Sequence, residues 1–240
     1  SGENAAKSFD WFRKAAEQGL AVAQNELGRC YLNGEGVEIN LAQAFEWFQK
    51  AAAKGNVAAQ NSVGDCYMHG WGVENDPIQA VDWYRKSAEN GSVYAQFSLA
   101  LCYKEGRGVE EDPVQAIKWC RKAAEKRLAP AQLLLGTFYL DGTGTEKDPV
   151  QAVVWFKKAS DPYSFIDISA MAVDPCGNLD LLYKPGGAQE TAESCLGVCY
   201  EQGLGVEKDL VQAIYWYRKA AERGSASDQL NLGVHYENGE

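Results

Sequence analysis

Histidine is nearly absent from this 240-residue chain: there are two, His69 and His235. Each falls at the end of a predicted helix, far from the other, with no Ser, Cys or carboxylate that the pattern sets beside it. Acid–base and triad chemistry therefore have no constellation to rest on. Carboxylates are plentiful but scattered over helix caps, linkers and polar faces. Positive charge is also in deficit. The formal net charge is −10 and the pI about 4.8, a balance that repels a nucleic-acid backbone or an anionic membrane surface. No apolar run approaches the ~20 residues that span a bilayer, and no charged-then-apolar leader opens the sequence. These gaps set the expectation: no catalytic residues, no cofactor, no metal, no nucleic acid and no membrane insertion.

What the chain does have is a period. Trp11, Trp47, Trp83, Trp119 and Trp155 are each 36 residues apart, and Trp216 follows 61 residues later, an excess of 25. Repeats of this length are the mark of a solenoid, in which each unit buries its apolar face only against its neighbours. The unit divides into two helices. The first runs through Ala23 to Tyr31 and sets a large apolar residue beside a very small one, as in Leu27-Gly28, Val63-Gly64, Leu99-Ala100, Leu135-Gly136 and Leu196-Gly197. Such a pair lets a partner helix approach closely. A glycine then ends the helix, at Gly34, Gly70, Gly106, Gly142 and Gly203, where a left-handed conformation carries no Cβ penalty.

The second helix starts at Asp76-Pro77, Asp112-Pro113 or Asp148-Pro149, with Asn40 and Asp209 in the cap position where proline is missing. An Asp or Asn cap satisfies orphan N–H groups, and proline fits the first turn. Ala80, Trp83, Tyr84, Ser87 and Ala88 then share one helical face. Basic doublets such as Arg85-Lys86 and Lys157-Lys158 stand toward the C-terminal half, where cations suit the helix dipole. They are read as solvated surface rather than a phosphate stripe. The recurring Gly-x-Gly linkers, Gly34 with Gly36 and their copies, follow a helix and lack a Lys-Ser/Thr. They are read as structural rather than nucleotide-binding.

Four of the seven cysteines, Cys30, Cys66, Cys102 and Cys199, occupy one repeat position, filled by Phe138 and His235 elsewhere. That is the behaviour of a packing residue. Equivalent positions lie about a helix pair apart, beyond disulfide reach, and the odd total argues against a fully paired framework. Cys195 and Cys199 could share a helical face, but nothing nearby completes a tetrahedral metal set.

A unit of Ala-x-x-Leu-Gly-x-x-Tyr, a Gly-x-Gly linker and Ala-x-x-Trp-Tyr/Phe-Arg/Lys-Lys-Ala-Ala-x-x-Gly resembles the Sel-1-like repeat, a relative of the tetratricopeptide repeat. The resemblance implies an all-α, right-handed superhelix whose first helices line a concave groove. It makes residues 1–240 a single solenoid of about six repeats, incomplete at both ends, with an insertion at 161–188. It also implies a noncatalytic scaffold or adaptor that binds a partner polypeptide. One similar subfamily is secreted, cysteine-rich and associated with β-lactam binding, each repeat carrying a disulfide between cysteines eight positions apart. No two cysteines here have that spacing. A secreted or periplasmic relative with β-lactam-binding or weak hydrolase activity stands as the alternative, should a signal lie outside this stretch. The expected compartment is otherwise the reducing cytoplasm.

By the tetratricopeptide analogy, the groove should be lined by Asn25, Arg29, Asn61 and Asp65 at its polar entrance. Tyr94, Phe97, Leu101, Leu133 and Leu140 would form an apolar centre. Either a partner segment covers this centre or the residues bury one another. The tetratricopeptide carboxylate clamp is not reproduced, which favours an internal apolar segment over a free C-terminus. The insertion breaks the rhythm with Pro162, Pro175, Pro185 and Gly186-Gly187 between two apolar runs. It reads as a hairpin or ordered loop, or as a degenerate helix through 164–173, with Phe165, Ile166, Leu181 and Tyr183 as candidate contacts.

Overall fold

The computed structural model describes residues 2–164 and 186–239. Among the described residues there are helices and no strands. The second helices of the repeats, here B-helices, are α1 (Gly2–Glu17), α3 (Leu41–Ala53), α5 (Pro77–Glu89), α7 (Pro113–Glu125), α9 (Pro149–Ala159) and α11 (Leu210–Arg223). The first helices, here A-helices, are α2 (Ala21–Asn33), α4 (Val57–His69), α6 (Val93–Glu105), α8 (Ala129–Asp141), α10 (Gly187–Gln202) and α12 (Ala226–Glu237). This is an all-α solenoid. Its helices fall into two compact units, α1–α6 and α7–α12, divided at Asp112 and Pro113. The candidate insertion contacts Phe165, Ile166, Leu181 and Tyr183, together with Cys176, lie outside the described residues.

Local chemistry sets the helix ends as the sequence predicts. Asp76 accepts hydrogen bonds from the N–H groups of Ile78 and Gln79, and Asn40, Asp148 and Asp209 each cap the amide three residues on. The first linker glycines close the A-helices in the left-handed region, as at Gly70 with φ +74°.

Within each unit, consecutive helices pack through glycine. A Cβ placed on Gly64 would lie 2.6 Å from the Tyr84 ring and 3.3 Å from the Ala80 carbonyl. The same seat recurs for Gly28 on Phe48 (2.6 Å), Gly136 on Phe156 (2.5 Å) and Gly197 on Tyr217 (2.3 Å). Each aromatic is thus held by one ring edge against the backbone of an A-helix. The second linker glycine makes an even closer contact. On Gly72, at φ +70°, a Cβ would come within 2.1 Å of the Leu41 carbonyl oxygen. Gly36 rests in the same way on Ala5, Gly108 on Pro77, Gly144 on Pro113 and Gly205 on Pro149. The Gly-x-Gly linkers are therefore stacking joints between successive B-helices.

The cysteine position is filled as a packing position. Cys66 belongs to a buried cluster with Phe45, Phe48, Val63 and Trp71, and Cys199 to one with Leu133, Val153, Phe156 and Leu196. Burial pushes the Cys30 and Cys199 thiols up to about 11 and the Cys102 thiol to about 12. His235, in the same position, is also buried. It stacks on Tyr217 and lies 3.7 Å from Glu201. The expectation of a surface histidine without a carboxylate neighbour is corrected there: His235 inherits the inward direction of the cysteines. His69 is exposed and stacks on Trp71 at 4.7 Å.

The basic doublets also do more than face solvent. Their first member reaches the tyrosine of the next A-helix: Arg85 donates to Tyr103 Oη at 3.4 Å, Arg121 to Tyr139 at 2.8 Å and Lys157 to Tyr200 at 2.9 Å. Their second member covers the tryptophan one turn back, as Lys122 does over Trp119 at 3.9 Å and Lys158 over Trp155 at 3.8 Å.

A buried glutamine on α2, α4, α6 and α8 (Gln24, Gln60, Gln96 and Gln132) ties neighbouring helices together. Gln96 and Gln132 donate to the carbonyls of Ala88 and Ala124. Gln60 Oε1 accepts from Asn90, and Gln132 Oε1 from Ser164. After the insertion Glu193 stands in the glutamine position and Arg223 in the position of Asn90, 2.8 Å apart. Burial raises the Glu193 carboxyl while Arg223 draws it down.

The glycine seat predicts a contrast. Gly64→Ala should lose about 1–3 kcal/mol in urea unfolding through overpacking against Tyr84. Gly233 occupies the same repeat position, but a Cβ there would meet no atom within 4 Å, so Gly233→Ala should be neutral or stabilising by up to ~1 kcal/mol. Equal effects at the two positions would contradict the packing account.

Candidate functional site

The polar residues expected at the groove entrance form one small set on α2 and an equivalent set on α4, both in the first unit. Asn25 and Asn61 occupy the same repeat position and are buried, at 5% and 3% exposure. Asn61 Nδ2 donates to Asp65 Oδ2 at 2.9 Å, and Asn25 Nδ2 donates to Glu26 Oε1 at 3.2 Å. The Glu26 carboxylate, and Asp65 in its charged form, thereby fix which way their amides point, because the flipped amide would set oxygen against oxygen. The consequence is that both Oδ1 atoms are buried acceptors without a hydrogen-bond partner. Such an orphan costs about 1–3 kcal/mol, and the buried Gln24 and Gln96 Oε1 atoms form a second such pair at the preceding repeat position.

One further group completes each set. Tyr84 O–H, held by the Gly64 seat, donates to Asp65 Oδ1 at 2.7 Å. Arg29 pairs with Glu26 at 3.0 Å one turn along α2. Burial pushes the Asp65 carboxyl from an ordinary 3.8 up to about 7, against the opposing pull of the Tyr84 hydrogen bond. Asp65 is thus poised between its charged and neutral forms near neutral pH.

The apolar members of the expected groove are placed differently. Phe97 is completely buried, at 0% exposure, and Tyr94 and Leu133 are buried as well. Leu133 packs with Ala129, Val153 and Phe156, with Leu140 partly buried against the same cluster, and Leu101 is half-buried. The expectation of an open apolar centre is corrected for Phe97, Tyr94 and Leu133. The reason is positional: the site that carries Asn25, Asn61, Phe97 and Leu133 is turned inward in all four A-helices. Glu26, whose carboxylate orients Asn25, and Tyr84, whose hydroxyl reaches Asp65, belong to these sets but were not among the expected residues. Tyr84 is signalled only by its place in the repeated aromatic position, and its hydroxyl needs the three-dimensional register to find Asp65.

Among the described residues no cluster of His, Cys, Asp and Glu is built to hold a metal ion. No described helix is long and apolar enough to cross a membrane. What the two sets offer is acceptors, oriented and partly desolvated.

The family profile of the Sel1 repeat matches residues 2–20, 21–56, 57–92, 93–127, 129–161, 192–225 and 226–240. The chain belongs to the Sel1 repeat family. The stretch between the matches at 161 and 192 contains most of the insertion. Among solved structures, a Sel1 repeat protein from Oxalobacter formigenes shares 29% identity over 99% of this chain and 88% of its own, with a TM-score of 0.80. The protein c5321, a protective antigen of uropathogenic Escherichia coli strains displaying an SLR fold, shares 33% identity over 96% of this chain, with a TM-score of 0.64. This chain spans 52% of the length of that structure. A further Sel1 repeat structure from Klebsiella pneumoniae, at 23% identity and a TM-score of 0.53, shares the fold. The curated proteins give no match.

The raised Asp65 pKa carries a signed prediction. In the native Sel1 repeat chain Asp65 retains a proton that the unfolded chain has already released above pH ~4, so its stabilising share is lost as pH rises toward ~7. The stability difference between wild type and Asp65→Asn, measured by urea unfolding, should fall with pH by up to about 1.4 kcal/mol per unit and level off above ~7. A difference that is flat or rises over that window would contradict the placement of Asp65.

Proposed function

We propose that this Sel1 repeat chain is a protein-interaction scaffold that receives an extended polypeptide segment along the A-helices of its first unit. The family's common role in protein–protein interaction supports the scaffold. The finer reading rests on one observation, the unpartnered Oδ1 atoms of Asn25 and Asn61 at equivalent positions of successive A-helices. An extended segment presents its backbone N–H groups in a regular row, and donors of that kind relieve the two inward-turned acceptors once the half-buried side chains around them shift aside on docking. Asp65, Glu26 and Arg29 flank the amides and set the polarity of what lies beside them. Recognition through backbone donors makes affinity depend on an extended conformation, and the flanking charges then select the sequence. Phe97, being inside the protein, acts in this reading as support for the face and not as an anchor on it.

The test is the double variant Asn25→Ala, Asn61→Ala. Removing two unsatisfied acceptors should leave unfolding stability within about 1 kcal/mol of wild type. Polypeptides captured from a lysate of the source organism by the wild type should be lost by the variant at equal helicity. Unchanged capture would remove the amide pair from the function.

A further inference from the structure

The B-helices of the second unit depart from the repeat at one surface position. Three residues before the first member of the basic doublet stand Asp10, Glu46, Asp82 and Lys118 in α1, α3, α5 and α7, but Val154 and Tyr215 in α9 and α11. In α1 and α5 the acid neutralises the arginine that follows, Asp10 with Arg13 at 3.1 Å and Asp82 with Arg85 at 2.9 Å. In α9 and α11 that pairing is replaced by apolar surface. One turn earlier stand Val150 and Val211, so each helix presents two apolar side chains at i and i+4. Val150 is 57% exposed, Val154 39%, Val211 77% and Tyr215 46%. The two helices are neighbours: Trp216 of α11 packs against the buried cluster that holds Val153 and Phe156 of α9, and Gly205 rests on the Pro149 carbonyl.

This apolar stripe has charged ends of opposite sign. Beyond it, toward the helix C-termini, stand Lys157, Lys158, Arg218 and Lys219. Their contacts are neutral: Lys157 and Arg218 donate to the hydroxyls of Tyr200 and Tyr236 at 2.9 and 2.7 Å. Lys158 lies 3.8 Å from the Trp155 ring centre and Lys219 5.0 Å from those of Tyr215 and Trp216. None of the four is within ion-pair distance of a carboxylate among the described residues, in a chain of net charge −10. At the other end, exposed Glu146 and Glu207 precede the capping residues Asp148 and Asp209. Lys147 and Lys208 between them lie against the turns at Gly142 and Gly203.

We propose that the outer face of α9 and α11 is a contact between two copies of this chain, related by a two-fold axis across the stripe. The helices of the two copies then run antiparallel. Val150 and Val211 of one copy then lie opposite Val154 and Tyr215 of the other, and the basic end of each copy meets the acidic end of the other. A face with acid, apolar and basic zones in that order is complementary to itself when turned around, which is the requirement of an isologous interface. A uniformly anionic surface would match only one end of it and would face the repulsion of the whole acidic chain.

Sedimentation of the full chain over a wide concentration range tests this. The wild type should show a monomer–dimer equilibrium. Val154→Asp with Tyr215→Asp, which restores acids as in α1 and α5, should weaken it by at least about tenfold with circular dichroism unchanged. Reversing the basic end (Lys158→Glu, Lys219→Glu) or the acidic end (Glu146→Lys, Glu207→Lys) should weaken the dimer, and combining both reversals in one chain should restore it. A wild type that sediments as a monomer throughout overturns the proposal. So does a dimer indifferent to Val154→Asp and Tyr215→Asp, or a chain that stays monomeric and binds phosphatidylserine vesicles through this face.

Discussion

Backbone resting on backbone is the contact on which this solenoid depends. At Gly36, Gly72, Gly108, Gly144 and Gly205 the linker lies so close to the first turn of the preceding B-helix that no side chain fits between them. The left-handed φ of these glycines turns the chain there, so conformation and proximity make the same demand on one residue. With the linker seated, the following aromatic is delivered to the glycine of its A-helix, and Phe48, Tyr84, Phe156 and Tyr217 close the joint. The step from Leu99-Ala100 to Trp119-Cys120 is the exception in sequence: where the small position gains a methyl group, the aromatic position gives way to cysteine.

Once these joints are made, most of the repeat signature is committed. The tryptophans, the basic doublets and the buried glutamines connect one turn of the stack to the next, and a residue engaged in that way is not available for a partner. Function is left to positions that vary between repeats. Two kinds stand out. On α2 and α4 an inward position carries asparagines whose carboxylate neighbours leave an acceptor exposed to no donor, beside an aspartate tuned to neutral pH. On α9 and α11 an outward position trades a charge for Val154 and Tyr215. The first asks for hydrogen-bond donors, and the second asks for a complementary copy of itself.

Features governed by a few neighbouring residues were legible in the sequence. The 36-residue period, the Asp and Asn caps, the helix-ending glycines and the packing role of Cys30, Cys66, Cys102 and Cys199 all follow from local pattern. Features governed by the register between turns were not. The reach of Arg121 to Tyr139, eighteen residues on, depends on how one helix pair sits on the next. The same holds for His235 beside Glu201, and for the pairing of Gln60 with Asn90 and of Glu193 with Arg223. Of the two readings the sequence left open for Phe97, burial is the one the register selects, because its position on the A-helix faces the packing.

The central claim, that the linker glycines are structural joints, is tested most directly at Gly72, where φ is +70° and a Cβ would lie 2.1 Å from the Leu41 carbonyl oxygen. Urea unfolding of Gly72→Ala should show a loss of about 3 kcal/mol or more, from left-handed strain and the backbone clash together. A loss below about 0.5 kcal/mol would mean that the linker does not need this seat, and the account of the solenoid given by these joints would be wrong.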